Sequence, residues 1–470
     1  MDLLAKIVGE ISGFMYGYLL IIMLIGAGIY FTVRTKFVQL RTIPDMIAAV
    51  TDKPSKEGGV SSFQALMVST ASRVGTGNII GVASAICLGG YGATFWMCLT
   101  AFLGGATAFI ESTLAQIYKK RNKVGISYGG PAYYIEAALH SRLLGVIFSL
   151  ALISTYAGGF NLLCSYNLQS TFAVFSFYDK ATTPWIIGAI LAVLVGWCLF
   201  GGGRRLIRTT AILVPIMGAI YVLTAVLVVL FNIGSLPDVI GKIFSEAFDF
   251  QAIFGGFMGS CIMFGVKRGL YSNEAGVGSA PNAAAAADVS HPVKQGLVQM
   301  LSVFIDTLLL CNATAFMCMM SGVEATPELA GAPYVQAALA ATIGGGAEVL
   351  LVVCMSLFAF TTLIGNLYYV ENALAYLLKH IPNSTFMTVY RIIACLIIFV
   401  GAGMNMGLLW DISDVNMGFM AIINIVVIVI LGGTAIKALE DFIAQRKAGK
   451  DPVFLAKNIG LNDKLDYWQE

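Results

Sequence analysis

Two glycine-interrupted stretches hold the residues of this chain best suited to chemistry: Val74-Gly75-Thr76-Gly77-Asn78 and Gly255-Gly256-Phe257-Met258-Gly259. Each lies in an apolar run, where glycine lets a helix unwind and frees backbone N–H and C=O groups that hydrocarbon cannot satisfy. Something polar must meet them. A half-helix N-terminus offers N–H groups and partial positive charge to a carboxylate, while freed carbonyls and hydroxyls can replace the water shell of a sodium ion. Interrupted segments at corresponding places in two halves of a membrane chain point to a transported small molecule. Close helix packing is the other use of Gly75, Gly77 and Gly81. Thr76 and Asn78 favour a site, since polar side chains are costly at the midplane.

Charged residues near these stretches have two readings each. Arg73 lies inside a span, which costs at least about 2.5 kcal/mol unless the charge is paired or solvated. Its candidate partners are Asp306, Glu371 and Glu111; beside the break it could replace a second cation, and snorkelling to helix-end carbonyls is the alternative. Asp306 reads as a proton or cation ligand or as a structural partner of Arg73. Asn273 and Glu274, after Lys267 and Arg268, read as a gating loop or a helix cap. Glu136 falls in an amphipathic stretch after Pro131 with no assigned chemistry.

The elements that must position these groups are membrane helices. Of 470 residues, 58% are hydrophobic and 11% charged, against about 25% charged in an ordinary globular chain. Eleven apolar runs are long enough to span, at about 15–33, 62–89, 92–118, 143–176, 184–202, 207–231, 252–269, 294–321, 346–378, 388–405 and 415–435. The predicted class is therefore all-α, a polytopic membrane protein. Of the 28 Lys and Arg, an eleven-span topology places twenty-four in segments of one side, three (Lys6, Lys180, Lys242) on the other, and Arg73 within a span. The basic side is expected to be cytoplasmic, with the N-terminus outside and the C-terminus inside the cell (inner) membrane. The first run lacks a basic n-region and a cleavage site, so it does not read as a signal peptide.

After the lone first helix, ten spans form two groups of five with opposite starting sides, a 5+5 inverted repeat. The expected divisions are 1–61 (extra helix and amphipathic segment), 62–231 (first repeat), 232–435 (second repeat with an outer loop helix) and 436–470 (cytoplasmic tail). The nine cysteines sit in or beside spans without metal-type spacing and read as free thiols. HExxH and GxxxxGK[ST] are absent, which argues against an enzyme and an ATP-driven pump. The net charge of +2 argues against nucleic acid. A channel or facilitator remains the rival class, although channels usually draw their symmetry from oligomers.

Ser69–Ala83 (STASRVGTGNIIGVA) and SNEAGVGSAPNAAAA from Ser272, with GGPAYYIE from Gly129, FIDTLLL from Phe304 and FAFTTLIGNLYYVEN from Phe358, resemble the alanine or glycine:cation symporter family over nearly the whole chain. The resemblance implies a leucine-transporter-type (LeuT-type) fold and import of a small amino acid with sodium, with no cofactor. It implies a sodium site of Ala71, Val74 and Phe358 carbonyls with Thr361 and Thr362 hydroxyls, an all-oxygen shell suited to a hard cation. Intrahelical back-bonding is the alternative for the two threonines. It places the substrate carboxylate at Gly75, Thr76 and Gly77 with Asn78 beside them, and the ammonium near Gly255, Gly256 and Gly259. The chain departs from the family at Asn366, often aromatic; at Cys164 and Tyr166, where relatives carry Gln and Asn; and between Gly259 and Lys267, about one turn shorter; Asn366 and Cys164 are expected to line the substrate pocket. Alanine or glycine is the expected substrate; proton coupling or a larger amino acid such as glutamine is the alternative.

Overall fold

A computed structural model describes residues 2–54, 59–121, 127–251, 256, 260–380, 382–404, 406–463 and 465–469. Long apolar runs satisfy their backbone polar groups internally as helices, as hydrocarbon demands. Nine helices are long and apolar enough to span among the described residues: α1 Lys6–Arg34, α5 Gly92–Ile117, α7 Arg142–Val174, α8 Thr183–Phe200, α9 Gly202–Phe231, α12 Pro292–Met319, α14 Ala347–Leu378, α15 Ser384–Ala402 and α16 Gly407–Lys447. A tenth span is broken, with α3 Ser62–Arg73 and α4 Gly77–Gly89 meeting at a 52° bend. Shorter helices are α2 Ile43–Thr51, α6 Pro131–Leu139, α10 Leu236–Ala247, α11 Cys261–Asn273 and α13 Ala332–Ile343.

The one remaining expected span, 252–269, falls partly on 252–255 and 257–259, outside the described residues. Its second part is α11, which begins where Ser260 turns extended and its hydroxyl accepts the Met263 N–H. α11 runs four residues past the expected end. This places Lys267 and Arg268 in the middle of a helix rather than at the cytoplasmic end of a span, and both are buried. Lys267 Nζ lies 2.8 Å from Asp414 Oδ2 and 3.0 Å from Ser12 Oγ, and Arg268 Nη1 lies 3.3 Å from Asp414 Oδ1. Arg73 is thus not the only basic group within the bundle. The local pattern "K-R after an apolar run" looks like a span end; the acid that neutralises it lies 146 residues away.

Glycines set how closely helices approach, as small residues do in membranes. A Cβ on Gly265 would stand 2.6 Å from the Ala93 carbonyl oxygen, and one on Gly296 2.8 Å from that of Phe109, so α11 and α12 both press on α5. Past α16 the chain returns beneath the bundle. Phe454 N–H donates to the Ser290 carbonyl at 3.0 Å, Trp468 Nε1 to the Gln116 carbonyl at 3.0 Å, and Lys294 Nζ pairs with both Asp52 and Asp451. The last helix extends to Lys447, beyond the expected span end at 435.

Candidate functional site

The break begins where α3 stops. Ser61 opens α3 with a reciprocal capping box to Gln64, and the helix ends at Val74, whose φ of −77° and ψ of 88° leave the helical region. The Asn78 N–H turns to the Gly75 carbonyl at 3.2 Å, so it does not claim the Val74 carbonyl. That carbonyl faces α14, where Thr362 Oγ1 lies 3.5 Å away. The close approach needs glycine next door: a Cβ on Gly75 would stand 2.2 Å from Thr362 Oγ1.

The expected sodium ligands fall at this junction in two pairs. Val74 oxygen and Thr362 Oγ1 form one. Thr361 Oγ1 and the Phe358 carbonyl, 3.1 Å apart, form the other, and the Thr361 hydroxyl also reaches Leu357 oxygen at 2.9 Å and Met217 Sδ at 3.2 Å. Thr361 is therefore engaged with its own helix, as the back-bonding alternative expected. Ala71 is buried on the same side, its backbone against Gly365 of α14. The oxygen-only donor set fits a hard cation.

Around the substrate segment the side chains are already committed to one another. Asn78 Oδ1 accepts the Gly75 N–H at 2.8 Å, and its Nδ2 donates to Asp306 Oδ1 at 2.6 Å. Asp306 Oδ2 accepts from Ser272 and Thr307, each at 2.8 Å. Thr76 Oγ1 accepts from Asn167 Nδ2 at 3.0 Å. The N–H groups of Thr76 and Gly77, at the start of α4, are of the kind a helix N-terminus leaves without an intrahelical acceptor. Cys164 is buried with its thiol 3.6 Å from the Ala359 carbonyl. Asn366 is buried between Ser72 Oγ, 2.6 Å from its Oδ1, and Asn161 Oδ1, 3.0 Å from its Nδ2. Gly256 is exposed, and a Cβ there would have no neighbour within 4 Å; Gly255 and Gly259 lie outside the described residues.

Both ends of the segment are covered. α11 lies on the glycine face of α4: Gly77 meets Tyr271, Gly81 meets Arg268 and Gly89 meets Phe264. Tyr271 contacts Phe160 and Trp410, with ring centroids at 4.7 and 4.9 Å, and Arg268 lies 3.8 Å over Trp410. On the opposite side, Glu274 closes α11 in a left-handed turn at φ 53° and accepts from Ser279, with Ser72 Oγ 3.4 Å away. The cap reading of Glu274 holds, and the cap also reaches the broken helix.

Arg73 is 2% exposed and donates from Nη1 to the Gln299 carbonyl at 3.2 Å. It makes no ion pair within 4 Å among the described residues. Glu371, one expected partner, instead pairs with Arg391 at 3.3 Å. The sequence reading did not single out Asn161, Asn167, Tyr271 or Trp410. The only signal for them was polarity or bulk in spans that already needed both.

The profile of the sodium:alanine symporter family matches residues 1–456. The amino-acid carrier protein AlsT of Bacillus subtilis (strain 168) is 42% identical over 98% of this chain and 96% of its own length. The probable sodium/glutamine symporter GlnT of the same organism is 40% identical, covering 99% and 96%. The sodium/alanine symporter AgcS of Methanococcus maripaludis is 37% identical, covering 94% and 98%. Among solved structures, a substrate-bound, outward-open Na+-coupled sialic acid symporter shares 13% identity, with a TM-score of 0.47 over 96% of this chain and 94% of that one. The motifs around the break and the match along almost the entire chain lead to one conclusion: the protein belongs to the sodium:alanine symporter family.

Proposed function

We propose that this sodium-coupled amino-acid symporter takes up alanine or a similarly small amino acid at the α3–α4 break, with sodium held between Val74 and Thr362. The observation that carries the reading is the 3.5 Å approach of Thr362 Oγ1 to the freed Val74 carbonyl, within one turn of the Thr76 and Gly77 N–H groups. An ion at the carbonyl would hold the break in the shape that offers those N–H groups to a carboxylate. Substrate would then bind a segment already ordered.

The site is covered by the Tyr271–Phe160–Trp410 aromatic group on one side and by Glu274, Ser72 and Asn366 on the other. Alternating access requires these covers to open in turn. The repeats are read as 62–231 and 232–435, after the 1–61 segment and before the 436–470 tail. With Lys267 and Arg268 moved into the bundle, twenty-two of the twenty-eight Lys and Arg still sort to the side of the C-terminus. That side is read as cytoplasmic, in the cell membrane.

A second reading, glutamine as substrate, is favoured by the relative named for glutamine at 40% identity. Uptake of labelled alanine into proteoliposomes, with and without an inward sodium gradient and against competing glycine and glutamine, tests both. Uptake should follow the sodium gradient and fall with competing alanine or glycine. Flux indifferent to the gradient would sink the symport reading; preferential competition by glutamine would reassign the substrate.

A further inference from the structure

The side of the bundle that carries most of the basic residues holds a recess of about 360 Å³ at the start of α7, lined by none of the residues of the α3–α4 break. Its lining includes Lys120, Tyr133, Glu136, Arg142, Tyr376 and Lys379. We propose that this recess binds the phosphate of an anionic phospholipid headgroup, with the acyl chains lying along α7.

The charge is arranged for an oxyanion. Three permanent cations, Lys120, Arg142 and Lys379, face one lining carboxylate, Glu136. Arg142 is held in place rather than free to wander. Its Nη1 pairs with Glu136 at 2.9 Å, its Nη2 donates to the Tyr376 and Leu377 carbonyls at the end of α14, and its guanidinium lies 3.9 Å over the Tyr376 ring. A guanidinium carries five N–H donors, so this arrangement still leaves donors for a phosphate. Lys120 spends part of its charge on Asp466 at 3.2 Å. Lys379, in a left-handed turn at φ 59°, has no ion pair within 4 Å among the described residues.

The walls point the same way. The Tyr133 hydroxyl oxygen is buried without a hydrogen-bond partner among the described residues, although its ring packs on Tyr128 and Tyr376 at 5.5 and 5.0 Å. A buried hydroxyl left unsatisfied costs free energy until a ligand meets it. A phosphate in the recess supplies that acceptor.

A free phosphate ester would satisfy the same donors, but the surroundings favour lipid. One residue past Arg142 the surface of α7 turns apolar, with Leu143 72%, Ile147 37% and Leu150 54% exposed. Farther along α7, Ile147, Leu150 and Ala151 with Phe419 of α16 line a second hollow of about 300 Å³. A headgroup in the first hollow leaves its chains beside this surface. Basic pockets between membrane helices recognise anionic headgroups in this way.

The experiment uses the full chain in detergent. Native mass spectrometry and thermal melts are run with dioleoyl-phosphatidylglycerol, with dioleoyl-phosphatidylcholine, and separately with inorganic phosphate and glycerol 1-phosphate. Wild type should retain and be stabilised by phosphatidylglycerol, and not by phosphatidylcholine. Lys379→Asn, chosen because Asn tolerates the left-handed turn, should weaken phosphatidylglycerol binding about fivefold, the effect of one basic residue at a membrane surface. Tyr133→Phe keeps the ring and should also weaken it. Lys447→Asn removes the same charge elsewhere and should leave binding unchanged. Equal binding by Lys379→Asn and wild type, or an equal loss in Lys447→Asn, would overturn the site. Full stabilisation by glycerol 1-phosphate or phosphate alone would overturn the lipid and make the ligand a soluble phosphate.

Discussion

Thr362 on α14 places its hydroxyl oxygen 3.5 Å from the Val74 carbonyl oxygen, across a gap that only the missing side chain of Gly75 leaves open. The two oxygens belong to residues 288 apart in the chain. A helix that ends at Val74 frees the carbonyl, and a hydroxyl on the facing helix meets it.

Removing that hydroxyl should therefore change the ion requirement before it changes the fold. Thr362→Ala is expected to raise the sodium concentration for half-maximal uptake roughly tenfold or more, the scale of a hydrogen-bonding group lost against a charge. Thr361→Ala should have the smaller effect, because its hydroxyl already bonds Leu357 and Phe358 of its own helix. Sodium-titrated uptake in both variants is the check, and unchanged sodium dependence in Thr362→Ala would remove the ion from this junction.

Gly77 faces Tyr271, not open space: a Cβ there would stand 2.6 Å from Tyr271 Cε1. Gly77→Ala, and more so Gly77→Val, should insert normally and lose at least about 80% of uptake, since overpacking costs about 1–3 kcal/mol where α4 and α11 must close. Tyr271→Leu added to Gly77→Ala should recover part of the loss. A Gly77→Val protein that transports at the wild-type rate would show that this closure is not on the transport cycle.

Asp414 neutralises two buried cations, Lys267 at 2.8 Å and Arg268 at 3.3 Å. Asp414→Asn leaves both uncompensated, which should cost about 3–5 kcal/mol and lower the melting temperature in detergent. Lys267→Met in the same protein should restore part of it. If Asp414→Asn melts with wild type, the cluster is solvated rather than buried.

His291 caps α12 from just outside its first turn. Its Nδ1 accepts the Val293 N–H at 3.2 Å and its Nε2 lies 3.2 Å from Asp441, an arrangement for the neutral ring. Burial pushes its pKa down to about 4, with Asp441 opposing and Lys294 adding to the shift. The unfolded chain, with an ordinary histidine near 6.5, takes up the proton first as pH falls. Stability from this group is complete above about pH 6.5 and is lost progressively towards pH 4, by at most about 3 kcal/mol. Melting temperatures from pH 7.5 to 5 should fall more steeply for wild type than for His291→Gln; parallel curves would refute the linkage.

Hydropathy and spacing were enough to read out most of this architecture, because a span is a local property. Twenty apolar residues become a helix in lipid wherever they occur, and a glycine cluster such as Val74–Asn78 weakens that helix at a place visible in one line of sequence. The motifs around Ser69, Ser272 and Phe358 likewise carry the family on their own. Tertiary structure decided what those local features touch. Lys267 and Arg268 read as a span end until Asp414 came into contact, and Glu371 looked available to Arg73 until Arg391 claimed it. Thr361 and Thr362 are neighbours in sequence, yet about 100° of helix rotation sets one towards Met217 and the other towards Val74. Pairings across hundreds of residues depend on helix rotation and approach, and neither is written in the order of the residues.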